Sequence, residues 1–215
     1  MKRFLIGALL AGAWANTAVA EDYDWSGIYG GVSIGARWSD MDYNAPYRLY
    51  EDTWSTSGNG ITGGGFVGYN FTYNRIVFGP EVSFMLSDAD GVTERRRSGS
   101  WGYAENTLRS DATISVNGRI GYQIGNALPY ITAGYSRAWY TDEIYVNQYW
   151  SEYSNADDFQ RNGWNIGVGT DWAFTDHLFA RAEYRYFDFG KDDIGNGWYA
   201  KYQQHAATLG IGYKF

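Results

Sequence analysis

Apolar residues recur at every second position in eight separate runs, the mark of β-strands whose two faces meet different surroundings. The first run covers about Gly27 to Trp38 and puts Ile28, Val32, Ile34 and Trp38 on one face. The second, about Ile61 to Tyr73, carries Ile61, Val67, Tyr69, Phe71 and Tyr73; the third, about Ile76 to Leu86, carries Ile76, Phe78, Val82, Phe84 and Leu86. Ile114, Val116, Ile120, Tyr122 and Ile124 stay in register through the fourth, about Thr113 to Ile124. In the fifth, about Pro129 to Tyr140, Ile131, Ala133 and Tyr135 share a face with Arg137, which either snorkels near a rim or marks a bulge. The sixth (about Gly163 to Phe174) shows Trp164, Ile166, Val168, Trp172 and Phe174, and the seventh (about Leu178 to Asp188) shows Leu178, Ala180, Ala182, Tyr184 and Tyr186. In the eighth, His205 to Phe215, Ala207, Leu209, Ile211, Tyr213 and Phe215 alternate with Ala206, Thr208, Gly210, Gly212 and Lys214.

The connections alternate in length. Short turns fall at Asn74-Arg75, Gly125 to Leu128 and Thr175 to His177, whereas long segments occupy Ser39–Gly60, Ser87–Ala112, Thr141–Asn162 and Phe189–Gln204. Short turns at one end and long loops at the other are the plan of outer-membrane barrels. A soluble sandwich has no reason to sort its loops this way. The pattern predicts an all-β, eight-stranded antiparallel transmembrane β-barrel with periplasmic termini and four long extracellular loops.

Composition strengthens this reading. The mean hydropathy of −0.44 would suit a soluble protein, but lumen and loop residues dilute the lipid-facing half of every barrel strand. The 20 Tyr and 10 Trp have a natural place in aromatic girdles at two membrane interfaces, and 28 Gly against 3 Pro suits long, crowded strands. Lys2 and Arg3, the apolar run Phe4 to Ala15 and the small-x-small motif Ala18-Val19-Ala20 predict an export signal over residues 1–20, cleaved near Ala20, with the barrel over 21–215. No Cys is present, so disulfide and thiol chemistry are excluded. A net charge of −7 argues against nucleic-acid partners.

Four stretches carry a family resemblance: DWSGIYGGVSIG (Asp24–Gly35), FGPEVSF (Phe78–Phe84), GWNIGVGTDWAFTDHLFARAEYRYFDFG (Gly163–Gly190) and TLGIGYKF (Thr208–Phe215). The chain resembles the small porin-like outer-membrane β-barrel proteins of alphaproteobacteria, a group that includes major surface antigens and some haemin-binding proteins. The resemblance implies insertion by the barrel-assembly machinery, for which Leu209, Ile211, Tyr213 and Phe215 would be the assembly signal. It implies no uniform activity.

The predicted registers turn Arg37, Glu81, Arg119, Asp171, Arg181, Glu183, Arg185 and Lys214 towards the lumen. An eight-stranded barrel is only wide enough for side chains to fill, so opposite charges must pair across it. Glu81 with Arg119, and Glu183 with Arg181 or Arg185, are the expected pairs. The cluster reads as a polar core that stiffens the barrel, or as a weakly anion-favouring constriction.

Candidate enzyme chemistry finds little support. His177 lies in a turn, and Ala207 removes the obvious nucleophile near His205. Asp157-Asp158 and Asp192-Asp193 read as solvated loop acids, no acidic segment has calcium-loop spacing, and Gly63-Gly64-Gly65 lacks the residues of a phosphate loop. No enzymatic activity, cofactor or metal is expected. The loops remain: Tyr145, Tyr149, Trp150 and Tyr153 suit contact with proteins, sugars or a flat porphyrin, and Arg95, Arg96 and Arg97 suit phosphates or polyanionic glycans. The expected function is an integral outer-membrane surface protein with a structural or interaction role through its loops, the alternatives being a small-solute channel or a haemin receptor. Outer-membrane lipid and lipopolysaccharide, the assembly machinery, and host or surface ligands at the loops are the expected partners.

Overall fold

The computed structural model describes the backbone of residues 23–47, 50–95, 103–148, 151–195 and 198–215, and side chains within 23–39, 58–87, 112–140, 160–191 and 201–215. The residues read as an export signal, 1–20, lie outside this set.

Eight strands follow one another around a closed barrel: β1 (Gly27–Tyr47), β2 (Tyr50–Tyr73), β3 (Ile76–Arg95), β4 (Tyr103–Tyr122), β5 (Ala127–Gln148), β6 (Ser151–Ala173), β7 (Leu178–Gly195) and β8 (Trp198–Lys214). Each pairs antiparallel with its sequence neighbours, and β8 returns to β1 along a seam that runs from Tyr29↔Lys214 to Asn44↔Tyr199. Closure leaves no unpaired edge, which hydrocarbon would not tolerate. The alternation along each strand sets the two surfaces. Ile34, Ile61 and Leu209 stand outward and remain 65%, 68% and 67% exposed, while Phe66, Ser115 and Arg181, on the opposite parity, are buried in the lumen.

The short connections are tight. Tyr73 pairs with Ile76 across Asn74-Arg75, and Asn74 takes a φ of 55°, a left-handed value that Asn tolerates better than most residues. In β2 the absence of a side chain is used differently: a Cβ on Gly64 would stand 1.9 Å from the Phe84 carbonyl oxygen, so glycine lets β3 approach.

Two sequence expectations need correction or completion. The long segments read as loops are paired strand for most of their length: β1 and β2 stay in register down to Tyr47↔Tyr50, and β5 and β6 down to Gln148↔Ser151. The apolar-face criterion detects only the part of a hairpin that faces lipid. Above it the strict alternation along the sequence stops, yet the backbone ladder continues. The register slips, at Leu86/Ala89, Ser110/Ala112, Asp188/Lys191 and Asp193/Gly195, all fall in this upper half. Gly190 sits in one of them with a φ of 81°, its N–H donating to Asp188 Oδ1 at 2.9 Å, the signature of a glycine bulge. At Arg137 the open alternative is resolved: β5 pairs with β6 without a slip, and Arg137 stands on the outer face, where its Nε donates to Asn162 Oδ1 at 2.8 Å.

Candidate functional site

The barrel interior is built in layers. At the end that carries the short turns, Trp25, Tyr29, Phe66, Val77, Leu128, Ala173 and Phe179 form a buried apolar cluster. Trp25 precedes β1 and folds back into the mouth, where it is 2% exposed and meets Phe179 edge-on with ring centroids 5.8 Å apart. The strap it belongs to is tied on several sides. Asn70 Nδ2 donates to the Trp25 carbonyl at 3.0 Å, Gln123 Nε2 to the Tyr23 carbonyl at 2.6 Å, and the Tyr23 hydroxyl to the Asp176 carbonyl at 3.1 Å. Lys214 donates to the Asp24 carbonyl and lies 3.8 Å from its carboxylate and 4.9 Å from the centre of the Tyr23 ring. The Ser26 hydroxyl and N–H donate to Asp24 Oδ1 and hold this carboxyl below its ordinary value. Burial pushes the Tyr23 phenol up to about 12, with the Asp176 and Asp24 charges adding to it.

Above the plug a charged layer crosses the lumen. Asp171 on β6 takes a two-pronged contact from Arg181 on β7, Nε at 2.8 Å and Nη2 at 3.0 Å, and a third bond from Arg119 Nη2 at 2.8 Å. Glu81 on β3 accepts from Arg181 Nη1 at 2.7 Å, from the Tyr29 hydroxyl at 2.9 Å and from Arg119 Nη1 at 3.5 Å. Glu183 accepts from the Tyr130 hydroxyl at 2.9 Å and pairs with Arg185 at 2.6 Å. The guanidinium planes are also covered by rings: Arg119 stands 4.0 Å from the Tyr130 centroid and Arg181 3.8 Å from that of Phe66. Such packing suits Arg, whose delocalised, weakly hydrated cation is less costly to bury than an ammonium.

Next comes an uncharged polar layer. Ser115 and Ser136 hydroxyls lie 2.8 Å apart, and Asn165 Nδ2 donates to Ser136 Oγ and Asn117 Oδ1, both at 2.8 Å. Arg37 reaches Thr113 Oγ1 at 3.0 Å, and Arg185 Nη1 reaches Ser83 Oγ at 2.8 Å. A cavity of about 20 Å³, bounded by Ser33, Glu81, Ser83, Arg185 and Thr208, offers the space of one ordered water. Towards the hairpins Met85, Ala138, Tyr140, Phe187, Phe189 and Ala206 make a second apolar cluster.

Of the eight lumen residues named from sequence, Glu81, Arg119, Asp171, Arg181, Glu183 and Arg185 meet in the charged layer, and Arg37 lies buried above them. Lys214 stands apart, at the mouth with Asp24. Glu183 takes Arg185, whereas Arg181 bridges Glu81 and Asp171. Sequence reasoning missed Tyr29 and Tyr130, whose hydroxyls complete the carboxylate shells. Their strand parity was the available signal, since both fall on the lumen face. Leu209, Ile211, Tyr213 and Phe215 point outward, Phe215 being 74% exposed while its N–H donates to the Ile28 carbonyl at 2.9 Å. The backbones of Arg95, Tyr145 and Tyr153 lie in β3, β5 and β6, their side chains outside the described residues. Arg96, Arg97, Tyr149 and Trp150 lie wholly outside them. Among the described residues no three His, Asp or Glu side chains converge to hold a metal ion.

Comparison with known proteins gives the same architecture. Residues 5–215 match the family described as outer membrane protein beta-barrel domain. The 25 kDa outer-membrane immunogenic protein of Brucella abortus is 29% identical over 208 residues, covering 94% of this chain and 84% of the relative. The 22 kDa outer membrane protein of Rhizobium leguminosarum bv. viciae is 31% identical over 196 residues, covering 89% of this chain and 78% of that one. Among solved structures, the outer membrane protease OmpT from Escherichia coli superposes with a TM-score of 0.56 at 9% identity, over 91% of this chain and 99% of the other, a likeness of fold alone.

Proposed function

Because the chain belongs to the outer-membrane β-barrel protein family and is an integral outer-membrane protein, we propose that it works as a closed surface barrel. In this reading it anchors in the membrane, keeps its lumen sealed and presents its four hairpins to the outside, with the strap end in the periplasm. The observation that carries the proposal is the charged layer: Glu81 ties Arg181 and Arg185, and Asp171 ties Arg119, across the lumen, with Glu183 pairing Arg185 beside them, over an aromatic plug that fills the mouth below. An ion would have to part several buried pairs and then displace Trp25 and Phe179, each step costing kilocalories. The name of the Brucella relative, an immunogenic protein, fits hairpins accessible from outside. Catalysis has no part in this reading. His177 stacks on Tyr213 with centroids 5.4 Å apart and its Nδ1 lies 3.0 Å from the Lys214 carbonyl oxygen, an anchoring role in a turn.

Planar bilayers provide the test. The refolded protein is expected to give no stable, ion-selective current steps; such steps, reproducible and independent of protein batch, would replace the closed barrel with a small-solute channel.

Assembly by the barrel machinery belongs to the same proposal. Phe215 directly follows β8 at the seam, one aromatic exposed to lipid and one N–H bonded to β1. Deleting Phe215 is expected to lower the amount of folded barrel in outer-membrane fractions more than deleting any hairpin tip. Unchanged levels on gels run without boiling would refute this.

A further inference from the structure

The outward face is apolar over most of the wall, but one sector breaks the rule. On β6, β7, β8 and β1, at the upper edge of the apolar band, side chains bond to one another on the outside of the barrel. The Tyr184 hydroxyl lies 2.6 Å from His205 Nδ1. His205 stacks on Trp38, with centroids 6.4 Å apart and planes within 18°, and meets the Tyr186 ring at 5.1 Å. Tyr186 donates to Asp188 Oδ2 at 3.3 Å, accepts from Gln203 Nε2, and takes the edge of Trp164 at 5.5 Å. The strand register makes the set continuous: Trp164 pairs with Asp188, Asp188 with Gln203, Tyr186 with His205 and His205 with Trp38. Arg137 with Asn162 on one flank, and Lys201, 4.0 Å from Asp188, on the other, add positive charge. Among the described residues of β2, β3 and β4, the outward face runs up to Ile61, Leu86 and Ile114 with no side-chain hydrogen bond.

A carboxylate, an amide and an imidazole facing hydrocarbon would carry a heavy desolvation cost, so this sector lies at headgroup depth. A generic interfacial belt needs only amphipathic rings. Here the rings are joined by acceptors and donors of the kind that match hydroxyl groups, and ring faces suit the C–H face of a pyranose. The flanking Arg137 and Lys201 suit phosphate groups on the same molecule. Directly below, Ala182, Ala207, Leu209, Ala36 and Ile34 continue the apolar wall on the same strands, a surface for acyl chains. We infer that the Trp38–Trp164–Tyr186–His205–Gln203 sector binds the phosphorylated sugar headgroup of an outer-leaflet glycolipid. The inference rests on the proposed orientation, which puts this edge of the barrel in the outer leaflet.

The test uses the full barrel refolded into phosphatidylcholine nanodiscs, titrated with rough-type lipopolysaccharide or, at equal negative charge, with phosphatidylglycerol. In a nanodisc the glycolipid reaches both rims, so binding depends on the sector and not on orientation. Wild type is expected to prefer the glycolipid. Tyr186→Phe, which removes the hydroxyl shared by Gln203 and Asp188, and Gln203→Ala are each expected to weaken that binding about three- to tenfold. Leu86→Ala, on the apolar sector, is expected to leave it unchanged. Circular dichroism and gel mobility before boiling check that every variant is folded. Equal affinity for the two lipids, or folded variants that bind like wild type, would overturn the inference. Either result leaves the closed barrel standing, whereas current steps in bilayers would remove the closed barrel and leave this sector untouched.

Discussion

Replacing Glu81 with Ala is expected to lower the unfolding free energy of the refolded barrel by about 3–5 kcal/mol, the usual cost of taking one partner from a buried ion pair. Glu81 meets Arg181 at 2.7 Å, Arg119 at 3.5 Å and Arg185 at 3.6 Å. Without it Arg119, Arg181 and Arg185 would, among the described residues, share only Asp171 and Glu183. Glu81→Gln keeps the volume and tests the charge alone, and should cost nearly as much. Removing Arg181 together with Glu81, as a Met–Met pair, should cost less than the two single changes added, because no orphaned charge remains. Urea titrations in lipid vesicles, followed by fluorescence and by gel mobility before boiling, supply the measurement. A loss under about 1 kcal/mol, the worth of a surface pair, would show that water already screens this layer.

The second large effect is expected at Trp25. Trp25→Ala would empty most of the plug's centre and remove the ring that Tyr23 and Phe179 pack against, a loss of about 3–5 kcal/mol for a buried Trp. The Trp25 indole N–H has no hydrogen-bond partner among the described atoms, which offsets part of its packing. Trp25→Phe keeps a ring without the orphaned donor and should be much milder. Neither variant should conduct, because the charged layer above is intact. A Trp25→Ala barrel that opens to ions would make the plug the principal seal. One as stable as wild type would show the strap to be ornamental.

The strands were legible because lipid imposes a strict rule on outward positions: Val32, Ile34, Leu209 and Ile211 could be read as wall residues from their spacing alone. Where lipid ends, the rule ends, and the upper hairpins passed for loops although their ladders continue. Lumen parity could be read for Glu81, Arg119 and Arg181, but the choice of partner could not. Asp171 reaches Arg181 as its ladder partner on the neighbouring strand, whereas Glu81 of β3 reaches it across the interior, a meeting that depends on tilt and stagger. Tyr29 and Tyr130 were hidden by their own chemistry, since an aromatic residue suits a membrane interface and a packed lumen equally well. The strap was invisible for a simpler reason. Tyr23 to Ser26 has no period, and its purpose exists only after the mouth that holds it has formed.

That dependence has a consequence for the order of events. The strap's bonds reach Asn70 on β2, Gln123 after β4, Asp176 between β6 and β7, and Lys214 on β8, with separations of up to 190 residues along the chain. No partial barrel offers all four partners. Docking of Trp25 therefore has to be a late step, taken once the last strand has met the first, and the burial of that one indole records that the circle is complete.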